Sequence, residues 1–321
     1  MRVERADLEA SLAALRAEVR DPSAGLFGPG SAAWTIGRES ILISGGGCAA
    51  LLQLAHPYVA HGVANHSVTL TDQRGRFQRT FANVFAMTFG DLDHAISSSR
   101  RVFGTHERVR GPITETTGGF EQGHLYDANH EEALFWVHAT LVDTALKVFH
   151  LWVRPLKDGE REAYYQEMKR LARLFGITDR VMPKAWSDFE IYFDKMVNEV
   201  LAVGTPAREI AAAILAAPHV AVEPAFAGLR NATAALLPAK MREQFGFAFG
   251  KKEQLIFNVM LRSERPVYRL LPPQLRYFPA YQSAMQRVTR RRSTRRDRWG
   301  RQAHRWMVKA LLGSAKMAAA K

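Results

Sequence analysis

A single cysteine, Cys48, stands in 321 residues, so no intrachain disulfide can form and no set of thiolates can hold a zinc ion. Its place in the apolar run C-A-A-L-L predicts a buried structural thiol rather than a nucleophile, and such usage fits a reducing compartment. Long apolar runs are also missing. Ile41 to Ala55 comes nearest, but Gly45, Gly46 and Gly47 interrupt it well short of a membrane-spanning length. The opening M-R-V-E-R-A-D-L-E-A mixes charges of both signs around no apolar centre, unlike a secretory signal. The expectation is a soluble or peripheral protein, cytoplasmic or resting on a membrane surface.

Acidic residues are scarce at one end only. From Arg287 to Lys321 nine arginines and three lysines face one acid, Asp297, which puts +11 of the chain's +13 into this tail and leaves +2 on residues 1–286. A near-neutral body lacks the broad positive surface that nucleic-acid binding uses, which argues against nucleic acid as a partner of the body. Within the tail, Trp299, Ala303, Trp306, Ala310, Gly313 and Met317 form a stripe at helical spacing, flanked by Arg301, Arg305 and Lys309. A basic amphipathic helix of this kind suits peripheral contact with an anionic membrane, although docking on the body or remaining disordered are alternatives. The chain is thus read as a helical unit over 1–286 and a basic amphipathic appendage over 287–321.

Strand-like alternation is rare, whereas apolar residues recur at helical spacing nearly everywhere, as at Leu8, Leu12, Leu15 and Val19 and again at Leu134, Leu141, Ala145, Val148 and Trp152. The fold class is therefore all-α, one large helical domain. Helices are expected near 5–20, 30–42, 46–64, 72–88, 91–106, 130–153, 159–175, 184–203, 206–217, 222–236, 251–264 and 280–312, with breaks at Gly111-Pro112, Pro206, Pro238 and Pro272-Pro273. The G-G-G-C-A-A at 45–50 matches a loose dinucleotide fingerprint, but no β-α-β units surround it. Close helix packing accounts for its small residues better.

Nine of the eleven histidines fall between His56 and His150. Imidazole is the commonest ligand for transition metals, yet the spacing is wrong for zinc, which leaves a single axial histidine on haem iron as the attractive arrangement. His106 ends an apolar stripe through Ala95, Ser99 and Val102, as a ligand or as a hydrogen-bonded interior residue. His138 sits on a helix apolar nearly all round, where it either lines a pocket behind the ligand or is a satisfied core residue. His56, His61 and His66 recur every five residues and so spiral around a helix; His56, before Pro57, suits local capping, and His66 is the pocket candidate of the three. Arg76, Arg79 and Thr80 share a helical face, where cations and a hydroxyl can hold carboxylates or position a small molecule, or simply face solvent.

Taken in order, A-L-L-Q-L-A-H-P-Y-V-A-H-G-V-A-N-H-S, R-F-Q-R-T, H-E-R-V-R-G, W-V-H-A-T-L-V-D-T and Y-Y-Q-E-M resemble the MpaB-type oxygenase family, to which the rubber-cleaving latex-clearing proteins are distantly related. The resemblance spans roughly residues 30 to 265. It implies an all-helical fold around haem b, with His106 as the proximal iron ligand, Arg76, Arg79 and Thr80 as the distal trio, and His138 as a recurrent histidine near the cofactor. It also implies an oxygenase that uses dioxygen on a small lipophilic, isoprenoid or alkene, substrate. Two departures matter: rubber-cleaving relatives carry lysine where Arg79 stands, and no glutamate between His56 and His66 replaces the one given a base role there. Arginine does not surrender its proton, so base chemistry at position 79 is not expected. Those relatives are exported and this chain shows no export signal, so polymeric rubber is a poor substrate. The competing expectations are a non-catalytic haem carrier or sensor, and a basic membrane- or nucleic-acid-associated protein that binds no cofactor.

Overall fold

The computed structural model describes residues 1–66 and 73–312, the side chains of 73–78 and 307–312 excepted. The described chain is mostly helical, and its two strands, β1 (Arg110–Pro112) and β2 (Leu125–Asp127), make one small antiparallel hairpin. In chain order the helices are α1 (Arg5–Glu18), α2 (Ala32–Gly37), α3 (Gly46–Leu54), α4 (Pro57–His66), α5 (Gln73–Phe89), α6 (Leu92–His106), α7 (Glu131–Val148) and α8 (Asp158–Arg173). There follow α9 (Trp186–Lys195), α10 (Thr205–Leu215), α11 (Glu223–Leu236), α12 (Ala239–Gln244), α13 (Lys251–Leu270), α14 (Pro273–Arg276), α15 (Pro279–Val288) and α16 (Arg295–Leu312).

The centre is α7. Residues from Ala133 to Val148 are buried on nearly every side of it, because α2, α3 and α8 pack around it. Trp136 and Trp152 anchor this core and Trp34 is buried beside it, and each indole N–H finds an acceptor: Trp34 on the Thr88 carbonyl, Trp136 on the Leu52 carbonyl and Trp152 on Glu264, all at 2.8 Å. Burying one such ring stabilises by about 1.5–3 kcal/mol only because that polar atom is satisfied.

The glycine run is a packing device. A Cβ on Gly45 would lie 2.4 Å from Thr144 Cγ2, and one on Gly47 would lie 2.1 Å from Thr233 Oγ1, so α3 enters between α7 and α11 with no room for a side chain. Cys48, one residue on, is wholly buried, and burial pushes its thiol up to about 12. No parallel sheet accompanies these glycines among the described residues.

Several helices differ from the pattern read in the sequence, each for a local reason. The stretch 30–42 becomes a six-residue helix capped by the Ser31 hydroxyl and by Glu167, followed by a tighter turn at Ser40–Gly45. Pro57 divides 46–64 into α3 and α4. The helices expected at 130–153 and 184–203 both end in a wider π turn, Phe149–Val153 and Met196–Val200. α13 runs on through Pro266 to Leu270, since the proline lies on the exposed side, where water can take the carbonyl it leaves unpaired. The long C-terminal helix is instead two: Arg290 takes a left-handed conformation with φ of 53°, and α16 restarts with a reciprocal cap between Thr294 and Asp297.

Among the contacts that fasten the segment after residue 265 to the body is one buried carboxylate. Glu39, 1 % exposed, accepts from both guanidinium nitrogens of Arg276 (2.8 and 3.0 Å) and from the Tyr268 hydroxyl (2.8 Å). Trp34, Phe89 and Ala284 close a second small core beside it, seating α15.

Candidate functional site

α5 and α6 form an antiparallel helical hairpin that turns at Gly90-Asp91, where the Asp91 carboxylate caps α6 by accepting from the His94 N–H at 2.8 Å. The Ser98 hydroxyl donates to Asn83 Oδ1 at 2.9 Å and fixes the register of the pair. Both helices rise equally per residue, so moving outward from that bond sets Thr80 level with Arg101, Arg79 with Val102 and Arg76 with Thr105. The trio and His106 therefore occupy the same open end of one hairpin, the trio on the face that carries Asn83. Arg79 and Thr80 are exposed and have polar or ring partners of their own; the side chain of Arg76 lies outside the described residues.

His106 is the last residue of α6 and is half-buried, also with a partner. It edges a narrow crevice, with no room for a water-sized sphere, lined by Ser99, Val102, Phe103, Asn129, Leu134 and Phe175. Apart from Ser99 and Asn129 this lining is apolar. The Asn129 side-chain amide nitrogen is buried there without a hydrogen-bond partner, an unmet donor beside the imidazole. Asn129, Leu134 and Phe175 come from three separate segments, and no spacing in the sequence connects them with His106.

His138 lies one turn beyond Leu134 on α7, 3 % exposed and facing the Phe135 ring at 6.3 Å. Neither ring nitrogen has a hydrogen-bond partner. Burial drives its pKa down to about 4, and the Met168 backbone, which does not reach hydrogen-bond geometry, offsets only part of that. His138 is thus a neutral imidazole in apolar surroundings, interior as expected but without the partner that a satisfied core histidine would have.

The three spiralling histidines go to different places. His56 caps α4, its Nδ1 accepting from the Tyr58 N–H at 3.2 Å, and burial holds its pKa down at about 3. His61 is buried, its Nδ1–H donates to the Pro57 carbonyl at 2.9 Å, and its Nε2 has no partner. His66 is exposed; its Nε2 lies 3.3 Å from the carbonyl of Arg110, four residues past His106, and its ring stands edge-on to Tyr126. Nothing in the sequence distinguishes His61 from its neighbours, because its fixed tautomer and bare buried nitrogen arise from how α4 packs. Near Cys48 the buried Asp143 carboxylate pairs with the half-exposed Lys147, Oδ2 to Nζ 2.8 Å; burial raises the Asp143 pKa, and the carboxylate outweighs desolvation to raise that of Lys147.

The model of the catalytic domain described as ER-bound oxygenase mpaB/B'/Rubber oxygenase matches residues 33–265. The chain belongs to this family. The matched region begins in α2 and ends within α13, so the mpaB/rubber-oxygenase domain contains the hairpin, His106, the crevice and His138, while Arg276 and α14–α16 lie beyond it. No curated protein and no solved structure gives a match.

Proposed function

We propose that this member of the mpaB/rubber-oxygenase family is a haem b-dependent oxygenase that uses dioxygen to oxidise a small lipophilic alkene or isoprenoid. The observation that carries the reading is the hairpin register, which gives a half-buried imidazole and two arginines with a hydroxyl a common end of one helical pair within the family's catalytic domain.

The donor set suits the cofactor in kind. His106 would supply a nitrogen to the iron, Arg76 and Arg79 would supply cations for the propionate groups, and Val102, Phe103, Leu134 and Phe175 would supply apolar contacts to the ring. As described, the crevice is closed to anything the size of a water molecule, whereas cofactor pockets typically enclose roughly 300–1,000 Å³, so a macrocycle could enter only if these side chains part. When bound, haem supplies the dioxygen chemistry; the protein's share is to hold it, orient substrate and exclude water. Thr80 offers a hydroxyl donor and Arg79 a permanent cation, so this end of the hairpin can stabilise developing negative charge but cannot withdraw a proton through Arg79. His138, neutral and one turn behind the crevice, keeps that wall uncharged.

The test is oxygen uptake by haem-supplemented protein with and without a soluble isoprenoid such as squalene in detergent. Substrate-dependent uptake supports the reading, and Arg79→Ala should lower it at least tenfold with haem retained, a loss of the size seen on removing one charge-stabilising donor, about 10²-fold. The narrowness of the crevice favours a second reading, a non-catalytic haem carrier or sensor, which a full haem complement with no uptake on any alkene would support.

A further inference from the structure

We propose that α16 is an interfacial anchor, docked on the body by its polar face, whose outward face seats the protein on an anionic lipid bilayer. The proposal stands apart from the oxygenase reading, since α16 lies outside the family domain.

A docked amphipathic helix normally hides its tryptophans and shows its charges. Here the arrangement is reversed. Asp297, Gly300 and His304 are buried, and a Cβ on Gly300 would lie 2.7 Å from that of Gln274, so the helix backbone rides close on α14 through its small and polar residues. Trp299 and Trp306, seven residues and two turns apart, share the opposite face and are 56 % and 75 % exposed. Arg295, Arg298 and Arg305 are exposed around them. The only acid between 287 and 321, Asp297, is turned inward and paired with Arg291 at 3.1 Å, so no described carboxylate dilutes the positive outer face.

Indole rings set among arginines are the composition of a helix lying in the headgroup layer, where the ring enters the acyl boundary and the guanidinium meets phosphate. No single described helix is long and apolar enough to cross a membrane, which fits lying on a surface rather than spanning it. A second apolar stripe is near. On α13, Val259, Val267 and Leu270 are 54 %, 62 % and 85 % exposed, and Leu270 stands four residues before Gln274, within about 14 Å of chain. A nucleic acid would engage the arginines, and unpaired bases could stack on the indoles, but neither covers the aliphatic side chains of Val259, Val267 and Leu270, and so the bilayer is the better match.

The experiment uses the full chain with vesicles of phosphatidylcholine alone and of an equal mixture with phosphatidylglycerol. Binding to the mixed vesicles only, falling with salt and accompanied by a blue shift of tryptophan emission, is expected. Trp299→Ala with Trp306→Ala should weaken binding at least tenfold. Arg298→Glu with Arg305→Glu should also weaken it, by roughly fivefold or more per site. All four side chains are exposed, so the melting temperature of either variant should stay put and keep these readouts interpretable. Equal binding by wild type and the tryptophan variant overturns the proposal. So does retention on duplex DNA that survives the tryptophan substitutions without vesicle binding, or a wild-type dimer that the same substitutions dissociate in the absence of lipid.

Discussion

At the scale of single residues, two buried groups give the most direct predictions. His138 has a pKa near 4 in the fold against about 6.5 in an unfolded chain. Below that unfolded value the unfolded chain binds a proton that the folded one refuses. The stability at stake is therefore fully present above about pH 6.5 and is lost as pH falls toward 4, at no more than about 1.4 kcal/mol per pH unit for this one group. Denaturant melts at pH 7 and pH 5 should show His138→Leu losing less between the two than the wild type; an unchanged difference would deny that His138 is a buried neutral base. Cys48 is the simpler case. With its thiol pushed up to about 12 and no exposed surface, it should resist a maleimide at pH 8 in the native state and react at once in denaturant. Fast native labelling would mean that α3 does not pack as described.

The helix is the scale at which the sequence was most legible. The amphipathic stripes of α1 and α6 and the break at Gly111-Pro112 follow from periodicity and breaker residues, and the observed bounds of α5, α6, α8 and α11 lie within a few residues of those read from the sequence. What was not legible were the endings that depend on contacts elsewhere: the two π turns, the run of α13 through Pro266, and the break at Arg290, which carries no glycine to announce its left-handed backbone. The site divides the same way. His106, the trio and the burial of His138 could be read along single helices, whereas Asn129 and Phe175 reach the crevice through folding between distant segments. The glycines of α3 give a sharp test at this scale. Gly45→Ala would set a methyl 2.4 Å from Thr144 Cγ2 and 2.7 Å from Val148 Cγ2, an overpacking that costs about 1–3 kcal/mol. The melting temperature should fall, and adding Thr144→Ser, which removes the nearer methyl, should restore part of it.

Considered whole, the molecule is a family catalytic domain to which a C-terminal segment is tied in part through Glu39. Removing that carboxylate leaves the Arg276 charge and the Tyr268 hydroxyl without their shared acceptor; with Arg276 partly solvated, Glu39→Ala should cost about 3 kcal/mol, the low end for a broken buried pair. Because the tie spans the end of the matched region, the loss should appear first as faster tryptic cleavage among the arginines from Arg287 to Arg298, before global unfolding. Nothing in the sequence joined Glu39 to a partner 237 residues away. The oxygenase reading, by contrast, rests on the one histidine that both the sequence pattern and the hairpin register bring forward. It is tested most directly by the visible absorption of protein purified with supplied haem. The account predicts a strong Soret band in the wild type and in His138→Ala and its loss in His106→Ala; a His106→Ala protein that keeps its full haem complement would contradict it.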